Sequence, residues 1–178
     1  MTVITFAWIV SACLIIGGLK LLQCKSNQAA KCLRFLRNNL WGLSLFIIAS
    51  LWFLIKILNL GEADFGAYKY WLFLLFLAVF VGCSIYWKDF LVVRAIAMLT
   101  LMLCHLGLQI GYMSPALVRP FLSLLLYVLI ILALFFGTYP FKARDILPML
   151  FKKNNRNLNF IGIGCFAYGV LLIILSMQ

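Results

Sequence analysis

The chain has 178 residues, of which 66% are hydrophobic and 11% are charged. A soluble domain has roughly 45–50% apolar and 25% charged residues, so this chain lacks the polar surface that a soluble globule needs. Disordered chains are poor in apolar residues, and disorder is therefore excluded as well. Fifteen Lys and Arg residues stand against four Asp and Glu, for a formal net charge of +11. The composition predicts an integral membrane protein.

Long stretches without charged side chains follow one another along the sequence. A helix needs about 20 mostly apolar residues to cross the roughly 30 Å hydrocarbon core of a bilayer. We expect six such helices in a single transmembrane domain covering residues 1–178, near residues 2–23, 39–60, 69–87, 90–113, 119–139 and 158–177. The predicted fold class is an all-α, polytopic bundle of six transmembrane helices.

The run 122–136 distinguishes membrane helices from the strands of a membrane barrel. Barrel strands alternate between apolar and polar residues over about 10 positions. This run does not alternate and is apolar on all sides, as a helix between lipid and protein would be. Residues 86–90 form a very short connection between the third and fourth helices, which predicts that these two helices are antiparallel neighbours.

Lys and Arg residues are divided unequally between the two sides of the predicted bundle. Twelve fall on one side, namely Lys20, Lys25, Lys31, Arg34, Arg37, Lys88, Arg94, Lys142, Arg144, Lys152, Lys153 and Arg156. The other side has Lys56, Lys69 and Arg119. Because cytoplasmic loops collect Lys and Arg, we expect the twelve on the cytoplasmic side and both termini outside. The compact loops and this asymmetry favour a bacterial inner membrane.

A polar stripe runs along the fourth predicted helix. Its members recur at steps of three or four residues and therefore share one helical face, and they are Arg94, Met98, Met102, His105, Gln109 and Tyr112. One hypothesis is a polar path or binding groove, because ionisable residues inside a membrane usually face protein or water. In the alternative, Arg94 reaches back to the interface, while His105 and Gln109 hydrogen-bond to neighbouring helices.

Histidine and cysteine are the residue types that bear on metals and cofactors. His105 is the only histidine, so a haem held by two histidines would need a second copy of the chain or a partner subunit. The six cysteines form no C-x-x-C motif and no paired spacing typical of zinc ligands. We therefore expect the cysteines to be small buried apolar residues, and we expect neither a metal nor a cofactor.

The predicted outer loop after the second helix carries a small group of charges. Lys56 lies one turn before the outer end of that helix, and Glu62 and Asp64 follow in the loop. The two carboxylates could hold a cation or a basic group of a partner. The alternative is a solvated loop in which they pair loosely with Lys56 or Lys69, because nothing on an exposed turn buries or tunes the carboxylates.

The two basic inner loops mix cationic and apolar side chains, as interfacial segments on an anionic leaflet do. The expected contact residues are Lys31, Arg34, Arg37, Lys142, Arg144, Lys152, Lys153 and Arg156. We expect them to contact anionic lipid headgroups, with docking of an acidic cytoplasmic protein as the alternative. Nucleic-acid binding is not expected, because no aromatic stacking platform accompanies the basic residues.

Glycines mark candidate helix contacts. Gly107 and Gly111 form a G-x-x-x-G motif, which predicts a helix–helix contact within the chain or between copies. Further small residues that would let helix backbones approach are Gly17, Gly18, Gly162, Gly164 and Gly169.

Motifs of catalysis are missing from the sequence, which has no P-loop, no G-x-S-x-G and no H-E-x-x-H. We therefore expect a non-enzymatic membrane subunit that packs with other membrane chains or forms a homo-oligomer. One alternative is a small channel or transporter that uses the polar face of the fourth helix. A second alternative is a membrane protein that handles a lipid, a quinone or a haem.

Overall fold

The structure is a computed structural model that describes residues 2–23, 34–36, 38–61, 65–86, 91–112, 114–143, 145–146 and 156–177. Its long helices are α1 (Val3–Leu22), α2 (Asn39–Leu58), α3 (Lys69–Tyr86), α4 (Leu91–Gly111), α5 (Arg119–Thr138) and α6 (Arg156–Ser176). All six are long and apolar enough to cross a membrane, with a mean hydropathy of 1.8 to 2.6. The predicted all-helical class with six membrane-length helices is confirmed, and no described residue lies in a strand.

Polar side chains fix where two of these helices begin. Thr2 Oγ1 accepts a hydrogen bond from the Thr5 backbone N–H at 3.3 Å at the start of α1. Asn38 Oδ1 accepts one from the Leu40 N–H at 3.1 Å at the start of α2. Such caps satisfy backbone donors that the first helical turn leaves without an intrahelical partner. The caps therefore place the helix starts at the borders of the apolar runs.

The contacts of α1 with α6, and those of α2 with α3, show how these helices are oriented. Gly18 near the end of α1 lies against Gly162 near the start of α6. Phe46 of α2 meets Phe80 of α3, and the later Phe53 meets the earlier Phe76, with ring centroids 5.9 and 5.0 Å apart. Each of these pairs is therefore antiparallel.

The contacts of α4 orient the remaining helices. Gly107 near the end of α4 lies against Phe6 near the start of α1 and against Leu126 in the first half of α5. Gly42 near the start of α2 lies against Val92 near the start of α4. Thus α4 is antiparallel to α1 and α5 and parallel to α2.

These directions divide the charged residues between the two ends of the bundle. At one end, which we call the basic end, the described charged residues are Lys20, Arg34, Arg94, Lys142, Asp145 and Arg156. At the opposite end they are Lys56, Lys69 and Arg119. Five of the twelve Lys and Arg residues predicted for the basic end are among the described residues, together with all three of the opposite end, so the predicted charge asymmetry stays a prediction.

Two buried clusters hold the helices together, one toward each end. Toward the opposite end, residues of α1, α4, α5 and α6 meet, and the buried members are Val3, Ala7, Cys104, Val118, Leu122, Leu126 and Leu172. At the basic end, Phe46 of α2 packs with Leu91 and Ala95 of α4. Because α4 contributes to both clusters, it is the helix that connects them.

α3 packs mainly against α2, and no described residue of α3 is buried. The Phe53 ring of α2 meets Phe76 and Phe80 of α3 edge to face, with centroids 5.0 and 5.8 Å away. At the basic end, Phe80 and Cys83 also reach the cluster that α2 forms with α4. The predicted packing of α3 along α4 is therefore wrong over most of the helix length, because ring packing directs α3 onto α2. The connecting residues 87–90 lie outside the described part of the chain.

α1 and α6 form the most extensive helix pair, and small residues let their backbones touch. A Cβ added at Gly18 would lie 2.8 Å from the Gly162 carbonyl oxygen. A Cβ added at Gly169 would lie 3.2 Å from the carbonyl oxygen of Ser11, a residue that is itself fully buried. The Ser11 hydroxyl donates to the Ala7 carbonyl at 2.7 Å, so it adds no unsatisfied polar group to this contact.

The two glycines of the predicted G-x-x-x-G motif have different surroundings. A Cβ at Gly107 would come within 2.7 Å of the side chains of Phe6 and Leu126. Gly111 is also buried, but a Cβ there would have nothing within 4 Å. The close contact at Gly107 is therefore made within the chain, to α1 and α5.

Candidate functional site

The polar residues of α4 continue a helical face that is apolar at the basic end. Its first positions, Leu91 and Ala95, pack against Phe46 of α2. Steps of three and four residues continue this face to three exposed side chains, those of His105, Gln109 and Tyr112. We call these three residues the polar face of α4. They point outward from the bundle and do not line its buried clusters.

Arg94 does not share a site with the polar face. It lies in the first turn of α4 at the basic end and is half-buried. At 1.5 Å per residue, His105 lies about 16 Å farther along the helix axis. Arg94 is therefore half-buried at the basic end, whereas the polar face is exposed near the opposite end, and the path along the predicted stripe stays a hypothesis.

Lys56 lies near the depth of His105. α2 and α4 run parallel, with Gly42 against Val92, and helices rise equally per residue. Counting from that contact places Lys56 at the level of His105 and Leu106. Lys56 is half-buried, whereas Glu62 and Asp64 of the predicted outer group lie outside the described residues. Two groups able to carry positive charge therefore stand at similar depth on neighbouring helices.

The predicted contact residues of the basic loops are described in part. Arg34 and Lys142 are exposed at the basic end, and the Lys142 ammonium lies 6.0 Å from the centroid of the Phe141 ring. Arg156 begins α6, but its side chain is not described. The remaining predicted contacts lie outside the described residues, and they are Lys31, Arg37, Arg144, Lys152 and Lys153. Asp145 adds one exposed carboxylate to this end.

An apolar groove between α4 and α5 opens at the basic end, with a volume of about 340 Å³. Its walls include Val93, Ile96 and Thr100 of α4, and Leu36 and Ala143 line it as well. Sequence reasoning missed this groove. The feature of the sequence that could have indicated the groove is a pair of small residues on facing helices. Ala97 and Ala133 are both buried along the groove, and they leave space that larger side chains would fill.

Cysteines and metal ligands give no sign of redox or metal chemistry in the described part of the chain. The four described cysteines have free thiols, with Cys104 buried, Cys83 and Cys165 half-buried and Cys13 exposed. Cys24 and Cys32 lie outside the described residues. No group of three His, Cys, Asp or Glu able to hold a metal occurs among the residues described. The predicted burial of the cysteines is thus seen at Cys104 and is wrong at Cys13, which lies on an outward face of α1.

The arrangement offers hydrogen-bonding groups on an outer helix face and an apolar groove beside basic side chains. His105 and Gln109 both supply donors and acceptors, which suits contacts with another polar helix. The groove suits a hydrocarbon chain, because the described residues that line it are almost wholly apolar. Comparisons with protein-family models, with curated proteins and with solved structures gave no match for this chain.

Proposed function

We propose that this chain is a non-enzymatic integral membrane subunit that packs with another membrane chain, or with a second copy of itself, through the polar face of α4. The exposure of His105 and Gln109 within a membrane-length helix carries this proposal. An ionisable side chain in contact with lipid is costly, and such residues usually face protein or water. A second helix against this face would supply the missing polar surroundings.

The depth of His105 strengthens this proposal. His105 lies about 9 Å along the axis from the last residue of α4, Gly111, at the helical rise per residue. Long Lys and Arg side chains can reach the headgroups from such a depth, but an imidazole is much shorter. Tyr112, at the helix end, suits the headgroup level, as aromatic side chains do. His105 is therefore the member of the polar face that most needs a protein partner.

The channel alternative would also depend on such a partner. A path along His105, Gln109 and Tyr112 would run on the outer surface of one copy, since these side chains are exposed. It could be enclosed only by a second chain. The alternative in which the protein handles a haem has the same requirement, because His105 would supply one of two histidine ligands.

A photo-crosslinking amino acid in place of His105 tests the proposal in native membranes. We expect crosslinks at position 105 to a protein, identified by mass spectrometry as this chain or another membrane chain. Leu103 is the matched control, because it is exposed on the other side of the same helix. Crosslinks at 105 no stronger than those at 103 would contradict the proposal.

Replacing His105 and Gln109 together by Leu should weaken the association. Interhelical hydrogen bonds in membranes contribute about 0.6 kcal/mol each on average, so the loss of two should lower the association affinity roughly tenfold. The measurement is the monomer–oligomer equilibrium in lipid nanodiscs or bicelles, for a self-associating chain, or the yield of the captured partner. An unchanged equilibrium would mean that this face meets lipid.

We also propose that the basic end faces the cytoplasm of a bacterial cell and that both termini lie outside. The support is the positive-inside rule applied to the charges at the two ends. Cysteines introduced at Leu117 and Phe141 test it, because both side chains are exposed, at opposite ends. The native cysteines are replaced first, since Cys13 is exposed.

In intact cells, we expect a membrane-impermeant maleimide to label Leu117→Cys and to leave Phe141→Cys unlabelled. Phe141→Cys should become reactive when the membrane is permeabilised. The reverse labelling pattern would show the opposite orientation.

A further inference from the structure

The groove between α4 and α5 has the dimensions of a small ligand site. On α4 its lining runs from Val93 to Thr100, which is about 10 Å along the helix axis. The volume of about 340 Å³ lies at the lower end of the roughly 300–1,000 Å³ typical of ligand pockets. The groove starts in the first turn of α4, so it extends from the basic end toward the middle of the bundle.

The lining of the groove favours a hydrocarbon chain as its occupant. Among the described residues of the lining, Thr100 is the one with a polar side chain, and its hydroxyl donates to the Ile96 carbonyl at 2.8 Å. That hydrogen bond leaves little for a polar ligand to bind. The small residues Ala97 and Ala133 belong to the lining, and a Cβ at Gly137 of α5 would lie 3.5 Å from the Ala97 Cβ of α4. The two helices are therefore close together beside Ala97.

Two exposed cations lie close in the chain to lining residues at the basic end of the groove, which we call its mouth. Leu36 and Ala143 line it, and the exposed cations Arg34 and Lys142 stand on the same two short segments. Asp145, which is also exposed, contributes one negative charge beside Ile146 of the lining. The described cations outnumber this carboxylate, so the mouth attracts an anion. Apolar walls below a cationic mouth are complementary to an amphiphile with an anionic headgroup.

We propose that this groove is a binding site for an anionic phospholipid, with one acyl chain between α4 and α5 and the phosphate near Lys142 and Arg34. The inference rests on the proposed membrane insertion, since it requires the basic end to lie at the headgroup level. This proposal is more specific than a general attraction of basic loops to an anionic leaflet, because it places one acyl chain of one lipid in a defined groove.

Native mass spectrometry of the full-length protein in detergent tests the site with two lipids of identical chains. Phosphatidylglycerol is the anionic probe and phosphatidylcholine is the zwitterionic one. A basic residue near a membrane surface contributes about 1 kcal/mol to anionic-lipid attraction, so we expect phosphatidylglycerol to bind at least about fivefold more tightly.

Two substitutions separate the headgroup contact from the chain contact. Lys142→Gln should weaken phosphatidylglycerol binding about fivefold and leave phosphatidylcholine unchanged, because it removes one cation from the mouth. Ala143→Trp should weaken both lipids, because a large ring at this half-buried lining position fills the entrance.

Each variant has a matched control at an exposed position away from the groove. Lys20→Gln removes a cation at the same end, on α1, and Ile131→Trp adds the same ring on an outward face of α5. Both controls should bind the two lipids as the unsubstituted protein does. Equal affinity for the two lipids, or equal losses in a variant and its control, would overturn the proposed site.

Alkaline extraction of membranes and the His105 crosslinks distinguish failure of this site from failure of the proposed function. A chain that resists extraction and crosslinks at position 105 but shows no lipid preference would lose only the lipid site. A chain that is extracted as a soluble protein would lose both proposals.

Discussion

Gly18→Ala is expected to lower the free energy of unfolding by about 2 kcal/mol, the usual magnitude for an atom forced into a packed interface. The added Cβ would lie 2.8 Å from the Gly162 carbonyl oxygen and 3.1 Å from the Phe166 backbone nitrogen. Backbone atoms of a helix cannot rotate away, so α1 and α6 would have to separate. The contact between α1 and α6 depends on dispersion forces that weaken steeply with distance. Lipid tails are as apolar as the helix surfaces, so no hydrophobic free energy makes up for the lost contact.

Gly17→Ala is the matched control for this substitution, on the same helix. A Cβ at Gly17 would have nothing within 4 Å, so its stability should be unchanged or slightly raised by the better helix propensity of alanine. Gly162→Ala and Gly164→Ala repeat the comparison on α6, since a Cβ at Gly164 also has nothing within 4 Å. Unfolding in mixed micelles with increasing dodecyl sulfate measures the difference, and equal stabilities of Gly18→Ala and Gly17→Ala would refute the backbone contact.

Leu122→Ala is expected to cost about 2–3 kcal/mol, the lower part of the range for buried leucines in soluble proteins. Leu122 is 1% exposed in the cluster where α1, α4, α5 and α6 meet. In a soluble protein, replacing a buried leucine by alanine lowers the free energy of unfolding in two ways. The removed atoms no longer contribute their transfer free energy from water, and they no longer pack against their neighbours. In a membrane the unfolded reference is lipid, which is as apolar as leucine, so mainly the packing and cavity terms remain.

Leu124→Ala is the control for that cavity, because Leu124 is on the same helix and 59% exposed. Its stability should change by less than about 0.5 kcal/mol, as for surface positions generally. Thermal unfolding can be followed by thiol labelling of the buried Cys104, in a background that lacks the other cysteines. A loss as large at Leu124 as at Leu122 would show that the outward face of α5 is covered by protein.

The positions of the helices could be predicted because the cost of burying charge and backbone in lipid acts on each segment separately. Runs between charges such as Arg119 and Lys142 must form helices of membrane length, whatever their neighbours are. Packing between helices has no such local signature. The chain connection predicted α3 beside α4, but the rings of Phe53, Phe76 and Phe80 bring α3 onto α2.

The candidate site was predictable only as a list of polar positions. The spacing of His105, Gln109 and Tyr112 places them on one face of α4, but it does not tell which helix, if any, covers that face. Their exposure follows from how the other helices pack, which depends on contacts distant in sequence. The groove beside Ala97 was missed for the same reason, because an alanine in an apolar run does not indicate which residues of another helix lie opposite it.

The pairing of α1 with α6 has a consequence for how the chain is assembled during synthesis. Of the six helices, α1 is made first and α6 last. At about 5–20 residues per second, the backbone surface of α1 around Gly18 remains without its partner for on the order of ten seconds. Insertion factors or lipids must shield that surface in the interval. Chains that stop after α5 would leave it open permanently, and quality-control proteases could recognise them by it.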